Sequence, residues 1–360
     1  MKKHLVRILL GLAVTLVFLG HAARYYQIGF LNQLDSTLYD VRLQLTMPRD
    51  VDKRVVILDI DEKSLERLGH WPWSRDLIAR LITKLFDEYH VALIGFDVFF
   101  SERDDTSGIK TLDGLSTTAF KDNPAFQNTY KELRPKLDFD QTFADAIKER
   151  PVVLGYTFSD EKEGAKELGS LPTPVMPAGT FRGRPIPFIT YSGYIGNLGV
   201  LQNSAADAGH VDMVPDDDGI VRRVPMIVEF KGAYYESLSL AMLRTLVALD
   251  SGAYPKVVPG YAEEKYGFAS RGYQGLEWLE VQAAKGHNLR IPVDNRVATL
   301  IPYRGNRGSF KYISLADVEE GKVKPEDLKG KIALIGTSAQ GLLDLRATPV
   351  NTIYPGVEVH

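Results

Sequence analysis

The chain has 360 residues, 44% hydrophobic and 25% charged, with a formal net charge of −3; this is a globular composition, long enough for one large or two ordinary domains. No basic stripe or aromatic-plus-basic array points to nucleic acid. The chain holds no cysteine, which excludes disulfides, Cys-ligated zinc and thiol catalysis.

The N-terminus opens with Lys2, Lys3 and Arg7, then an apolar run from Ile8 to Gly20. From Leu5 to Ala23 this is about 19 residues, or about 28 Å as a helix, close to the hydrocarbon thickness of a bilayer. Residues 1–24 therefore read as a cytoplasmic N-terminus and a transmembrane helix, with the rest of the chain outside the inner membrane. The alternative is a cleaved signal peptide, because Gly20-His21-Ala22 offers small residues around a possible cleavage point. In residues 25–47, Leu31, Leu34, Leu38, Val41 and Leu45 recur at alternating spacings of three and four. That predicts an amphipathic helix that serves as a stalk, packs on its own domain, or does both. Pro48 ends it, and residues 48–360 form the globular part.

The run RVVILDID (54–61) is an apolar, β-branched strand. The segment from Ser74 to His90 is a helix with Leu77, Leu81, Leu85 and Tyr89 inward and Ser74 as N-cap. VALIGFDVFF (91–100) is the next strand, which makes a right-handed βαβ unit. A polar excursion runs from Ser101 to about Lys136. A helix at 139–149, a strand at 151–158, a loop at 159–194 and a hairpin region at 195–230 follow. Then come a helix from about Glu236 to Leu249, an excursion at 250–290, a strand at 297–305, a helix at 314–321 capped by Ser314, and a strand at 331–339. The fold class expected is α/β: a mainly parallel central sheet with flanking helices and antiparallel hairpin additions, preceded by the N-terminal transmembrane and stalk helix.

The stretch VPDDDGIVRRVP (214–225) is the densest in charge. As a calcium loop with Gly219 in sixth place it fails at both ends, since Val214 and Pro225 cannot supply carboxylates. The neighbouring β-branched runs make it the turn of a β-hairpin, with Arg222 and Arg223 offsetting Asp216 to Asp218.

In an open parallel sheet ligands bind beyond the carboxyl ends of the strands. Asp59 and Asp61 stand there on the first strand, where period-two geometry places them on one face. Asp97 and Ser101 stand on the second and Thr337 and Ser338 on the last, with Trp71, Trp73 and Arg75 nearby in sequence. Such a set can hold a cation or a small polar ligand, although aspartates at strand ends also cap loops and pair with arginine. Enzyme signatures fail. GTSAQGLL (336–343) lacks the Lys and Ser/Thr of a phosphate loop and the final Gly of a nucleophile elbow. The seven histidines form no metal-ligating pair, and neither metal nor cofactor is expected.

Asp216, Asp218, Gly219, Arg222 and Pro225 fit D-x-D-G-x-x-R-x-x-P, and this block resembles that of the CHASE-two family (cyclases/histidine kinases associated sensory extracellular domain, second type). LYDVRLQL, VVILDIDEKSLERLGHWPWSRDLIARL, GFDVFFSERD, YISLADVEEGKV, LKGKIALIGTSAQGLLDLRATPVN and YPGVEVH agree with the family in order and spacing, over roughly residues 30–360. The resemblance implies an extracytoplasmic sensory domain of a bacterial membrane receptor, with a cyclase or kinase output after further spans. The chain stops inside the block that leads into those spans, so a truncated or natural short form is expected. The resemblance transfers no ligand and no catalytic residue. The expectation is a sensory input module in a homodimer; the alternatives are an assembly module that binds nothing small and a periplasmic hydrolase.

Overall fold

The computed structural model describes residues 2–23, 25–160, 166–184, 186–261, 275–283, 286, 288–342 and 344–360. Within these, Val55–Ile60 (β1), Leu93–Phe96 (β2), Val152–Ser159 (β3), Asp207–His210 (β4), Lys311–Ser314 (β5) and Ile332–Thr337 (β6) pair in parallel in the order β5-β1-β6-β2-β3-β4. The runs are apolar throughout because both faces of a parallel sheet are covered. Their side chains divide by period two: Val56, Leu58, Ile94, Val152, Leu154, Ala333 and Ile335 enter the larger core, whereas Ile57, Leu93, Val153 and Leu334 enter a smaller one on the other face.

The helices are Lys2–Ala22 (α1), Gly29–Thr46 (α2), Glu62–Leu68 (α3), Arg75–Asp87 (α4), Phe139–Ile147 (α5) and Leu238–Ser251 (α6), with shorter ones between. Leu77, Leu81 and Leu85 of α4 and Phe143 and Ile147 of α5 fill the larger core, while Leu238, Ala241 and Met242 of α6 fill the smaller. Ser74 holds the N-cap position of α4 without capping it; the Arg75 amide donates to the Asp104 carboxylate instead, at 2.5 Å. Ser314 likewise makes no cap bond, and its hydroxyl turns to Asp61.

Three expectations need correction. The polar excursion after Ser101 contains two helices, Ile109–Thr117 and Pro124–Leu137. The runs beside the Asp216–Asp218 turn do not pair with each other as a hairpin: β4 joins the parallel sheet, and Arg223–Pro225 pairs antiparallel with Ala298–Leu300. The excursion at 250–290, where described, belongs to an antiparallel sheet of Lys256–Tyr261, Leu276–Gln282 and Leu289–Pro292. This antiparallel side has a core of its own, with Val224, Ile227, Leu279, Val281, Tyr303 and Tyr354.

α1 is long and apolar enough to cross a membrane, and none of its His4–Ala22 stretch is buried within the protein. α2 follows it and docks on the globular part, but not by the leucine stripe. Leu34, Leu38, Val41 and Leu45 are 45–81% exposed. The opposite face makes the contacts: Leu43 and Met47 pack against the antiparallel core, Gln44 Nε2 donates to the Pro349 carbonyl at 2.6 Å, and Asp40 meets Arg222.

Arg222 is 2% exposed. Its Nε and Nη2 donate to the two oxygens of Asp40 at 2.8 and 2.7 Å, its Nη1 and Nη2 to those of Asp218 at 2.9 and 2.8 Å, and its Nη1 to Asp216 at 3.0 Å. All five guanidinium donors are used, the condition under which burying that charge is tolerable. The turn that supplies two of the carboxylates closes with the Gly219 amide on the Asp216 carbonyl at 2.8 Å, and Gly219 takes φ +81°, which favours glycine. The hydrogen bonds from Arg222 hold the Asp218 carboxyl down to about 2, so its share of stability is full above the ordinary carboxylate range and is lost as pH falls toward 2.

Arg222→Ala leaves three carboxylates facing one another and is expected to cost about 3–5 kcal/mol in urea unfolding, the usual cost of breaking a buried pair. Arg222→Lys, with a point charge in place of the fork, is expected to rescue little of this. In both variants limited proteolysis should cut within or beside α2 faster than in wild type.

Candidate functional site

Register sets what meets at the carboxyl edge of the sheet. Ile60 lies opposite Thr337, and Ile335 opposite Phe96, so Asp97 follows at the same level. Tyr156 lies opposite His210, so Thr157 and Asp212 come to the same edge from β3 and β4. Together with Trp71, Leu342, Asp344 and Arg346 they line a cavity of about 480 Å³. It lies where a parallel sheet presents a ligand site.

Three carboxylates face this space. The Asp97 side chain is 5% exposed, and its Oδ2 has no hydrogen-bond partner among the described residues. Its Oδ1 lies 3.4 Å from Nε2 of His360, a ring 1% exposed with both nitrogens otherwise unpaired. Asp212 accepts from the Thr157 hydroxyl at 2.6 Å and the Phe158 amide at 3.0 Å. Burial pushes its carboxyl up to about 6, with those hydrogen bonds opposing. Its Oδ2 is 3.6 Å from Nδ1 of the fully buried His210, whose pKa burial, and then His360, lower to about 3, so that ring is neutral at physiological pH. Asp344 pairs with Arg346 at 2.9 Å; burial, and then Asp97, raise its carboxyl above the ordinary range. Carboxylates outnumber the single guanidinium, and the Trp71 ring forms a wall, meeting Trp73 edge-on at 5.4 Å. Among the described residues no three His, Cys, Asp or Glu side chains are grouped to hold a metal ion. A carboxylate-rich, indole-walled cavity of this size suits a small organic cation.

Of the residues singled out in the sequence, the structure brings Trp71, Asp97 and Thr337 to this cavity. The others are engaged within the fold. Asp59, 5% exposed, accepts from the Ser338 amide and hydroxyl at 2.9 and 2.5 Å; burial, opposed by Ser338, raises its carboxyl to about 6. Asp61 stands just past the end of β1 at Ile60. It caps α3 through the Ser64 amide at 2.7 Å and accepts from Ser314 at 2.9 Å. The Trp73 indole donates to the Gly69 carbonyl at 2.7 Å. Arg75 is buried with its guanidinium 4.5 Å above the Phe100 ring and 3.9 Å from Asp140. Ser101 lies beyond β2, outside the lining. Asp212, Asp344, Arg346 and His360 were missed. For Asp212 the signal was its place two residues after a strand, hidden by reading that strand as part of a hairpin.

The Asp212 pKa has a stability consequence. A carboxyl raised in the folded state costs nothing at low pH and destabilises as pH rises through about 6. Asp212→Asn keeps an acceptor for Thr157 and Phe158. It is expected to melt with wild type at pH 4 and above it at pH 8, by on the order of 1–3 kcal/mol, as measured by thermal unfolding across pH.

No curated protein and no solved structure matches the chain. The family model described as CHASE2 domain matches residues 10–360. The chain thus belongs to the CHASE2 domain family, an extracellular sensory domain of membrane receptors and the family its sequence blocks resemble.

Proposed function

We propose that this chain is the extracytoplasmic input domain of a bacterial inner-membrane receptor, anchored by α1 as a single span, and that it binds a small organic cation at the carboxyl edge of the sheet. The observation that carries the ligand reading is the unpartnered Asp97 Oδ2, buried at the wall of a cavity large enough to admit a ligand. A desolvated carboxylate oxygen without a donor is costly, and an ammonium group seated against Trp71 would supply both a donor and a charge.

The same cavity is joined to the stalk by a short run of chain and a hydrogen bond. Asp344 and Arg346 line it. The next residue, Ala347, accepts from the Val221 amide at 2.8 Å, beside Arg222. Pro349 accepts from Gln44 of α2. A ligand that draws Asp344 or Arg346 inward therefore pulls on a segment bonded both to the Arg222 turn and to α2. Binding biases the stalk only through its preference for one arrangement over the other. Downstream, a nucleotide cyclase, histidine kinase, Ser/Thr kinase or diguanylate cyclase would be the output that the stalk and spans control. The second reading, an assembly module with no small ligand, draws on the exposed stripe of α2.

Thermal shift against a panel of amines, amino acids and polyamines tests the ligand reading. At a ligand concentration about 100 times Kd the stabilisation is about 2.7 kcal/mol, a rise of several degrees in Tm for a domain of this size. Asp97→Asn is expected to abolish the shift and leave the ligand-free Tm within a few degrees of wild type. Shifts by anions or neutral solutes alone, or a cation shift that survives in Asp97→Asn, reject the cation site; no shift by any compound favours the assembly module.

A further inference from the structure

We propose that the exposed stripe of α2 is the surface on which a second copy of this chain docks, as a parallel two-stranded coil of stalk helices. The inference rests on the reading of α1 as an anchor, since two anchored copies present their stalks in the same direction.

Leu31, Leu38 and Leu45 fall at one heptad position and Leu34 and Val41 at the other, an average spacing of 3.5 residues. This is the period of a seam that follows a partner helix. From Leu34 to Leu45 the stripe is free, with Leu31 half-buried at its start, because the opposite face is spent on the globular part. Ser36, Tyr39, Asp40, Leu43 and Met47 are the half-buried positions of that face, and Leu38 and Leu45 stand 57% and 81% exposed. A copy can therefore pair along α2 without displacing Asp40 from Arg222.

The flanks decide the occupant. In a parallel coil the positions beside the seam that face each other are Phe30 and Asp35, and Thr37 and Arg42, so pairing α2 with itself opposes no like charges. A helix lying in the lipid interface carries lysines and arginines along its polar face, whereas α2 has no lysine and a single arginine. The isologous seam needs no other surface of the protein.

The cysteine-free chain makes the test direct. Single cysteines replace Leu34, Leu38, Val41, Leu45 and, on the back of the helix, Asn32, in the full 360-residue chain expressed in bacterial membranes. Mild oxidation is expected to give disulfide-linked dimers at the four stripe positions with at least ten times the yield at Asn32→Cys. Leu38→Asp, added to the Val41→Cys chain, is expected to reduce its dimer yield at least fivefold. Monomer at every stripe position in the membrane fraction, yields at Asn32→Cys equal to the stripe, or labelling of the stripe cysteines by a lipid-phase reagent overturns the proposal. The fraction in which the chain sediments reports on the anchor separately: stripe dimers in a soluble chain would keep the pairing and reject the span.

Discussion

A guanidinium removed from water must have all its donors answered, and Arg222 meets this demand by joining pieces of chain far apart in sequence. Asp216 and Asp218 come from its own turn, whereas Asp40 comes from α2, 182 residues away. The antiparallel pairing of Arg223–Pro225 with Ala298–Leu300 fixes the turn from one side, and the Val221–Ala347 bond fixes it from the other. α2 is therefore located by one buried charge network rather than by an apolar face. α2 has no fully buried residue, and its remaining attachments are Leu43, Met47 and a few side-chain hydrogen bonds.

That mode of attachment bears on signalling. An apolar interface loses free energy gradually as it slides, whereas a bidentate Arg–carboxylate pair has one good geometry and few intermediate ones. A stalk held this way is suited to two discrete positions, which is what a two-state transmitter requires. The exposed stripe is on the other side of the same helix, so α2 is shared between two partners with no residue in common: the globular part through Asp40 and Gln44, and the proposed second copy through the leucines. On the proposed reading, movement of the 344–349 segment would be felt on the first face and read out on the second.

Much of the fold was legible because parallel strands buried on both faces announce themselves as unbroken apolar runs. β1, β2, β3 and β6 and the inward leucines of α4 were read from that pattern. β4 was read only as part of the hairpin region, because Asp207-Ala208-Gly209-His210 has no β-branched residue of its own. The reason is tertiary: a Cβ on Gly209 would lie 2.5 Å from the Leu238 backbone, so the start of α6 rests directly on the strand. With β4 misplaced, Asp212 dropped out of the carboxyl edge and the charged turn became a hairpin. The stripe on α2 was seen, but period alone cannot say which side of a helix its own domain occupies. Here the polar side won, since Arg222 needed Asp40.

The aspartates make the same point for the site. Asp59, Asp61 and Asp97 look alike in sequence, each at the end of an apolar strand. Asp59 receives an amide and a hydroxyl from Ser338, and Asp61 receives Ser64 and Ser314. Their charge is spent on holding strand ends and a helix start together. Asp97 follows β2, where the described residues of the loop from β6 supply no donor to its Oδ2 and His360 stands at 3.4 Å, too far for a good hydrogen bond. What separates a structural carboxylate from a receptive one is thus the count of donors brought to it by other strands. That count is a property of register, and register appears only once β6 has been inserted between β1 and β2.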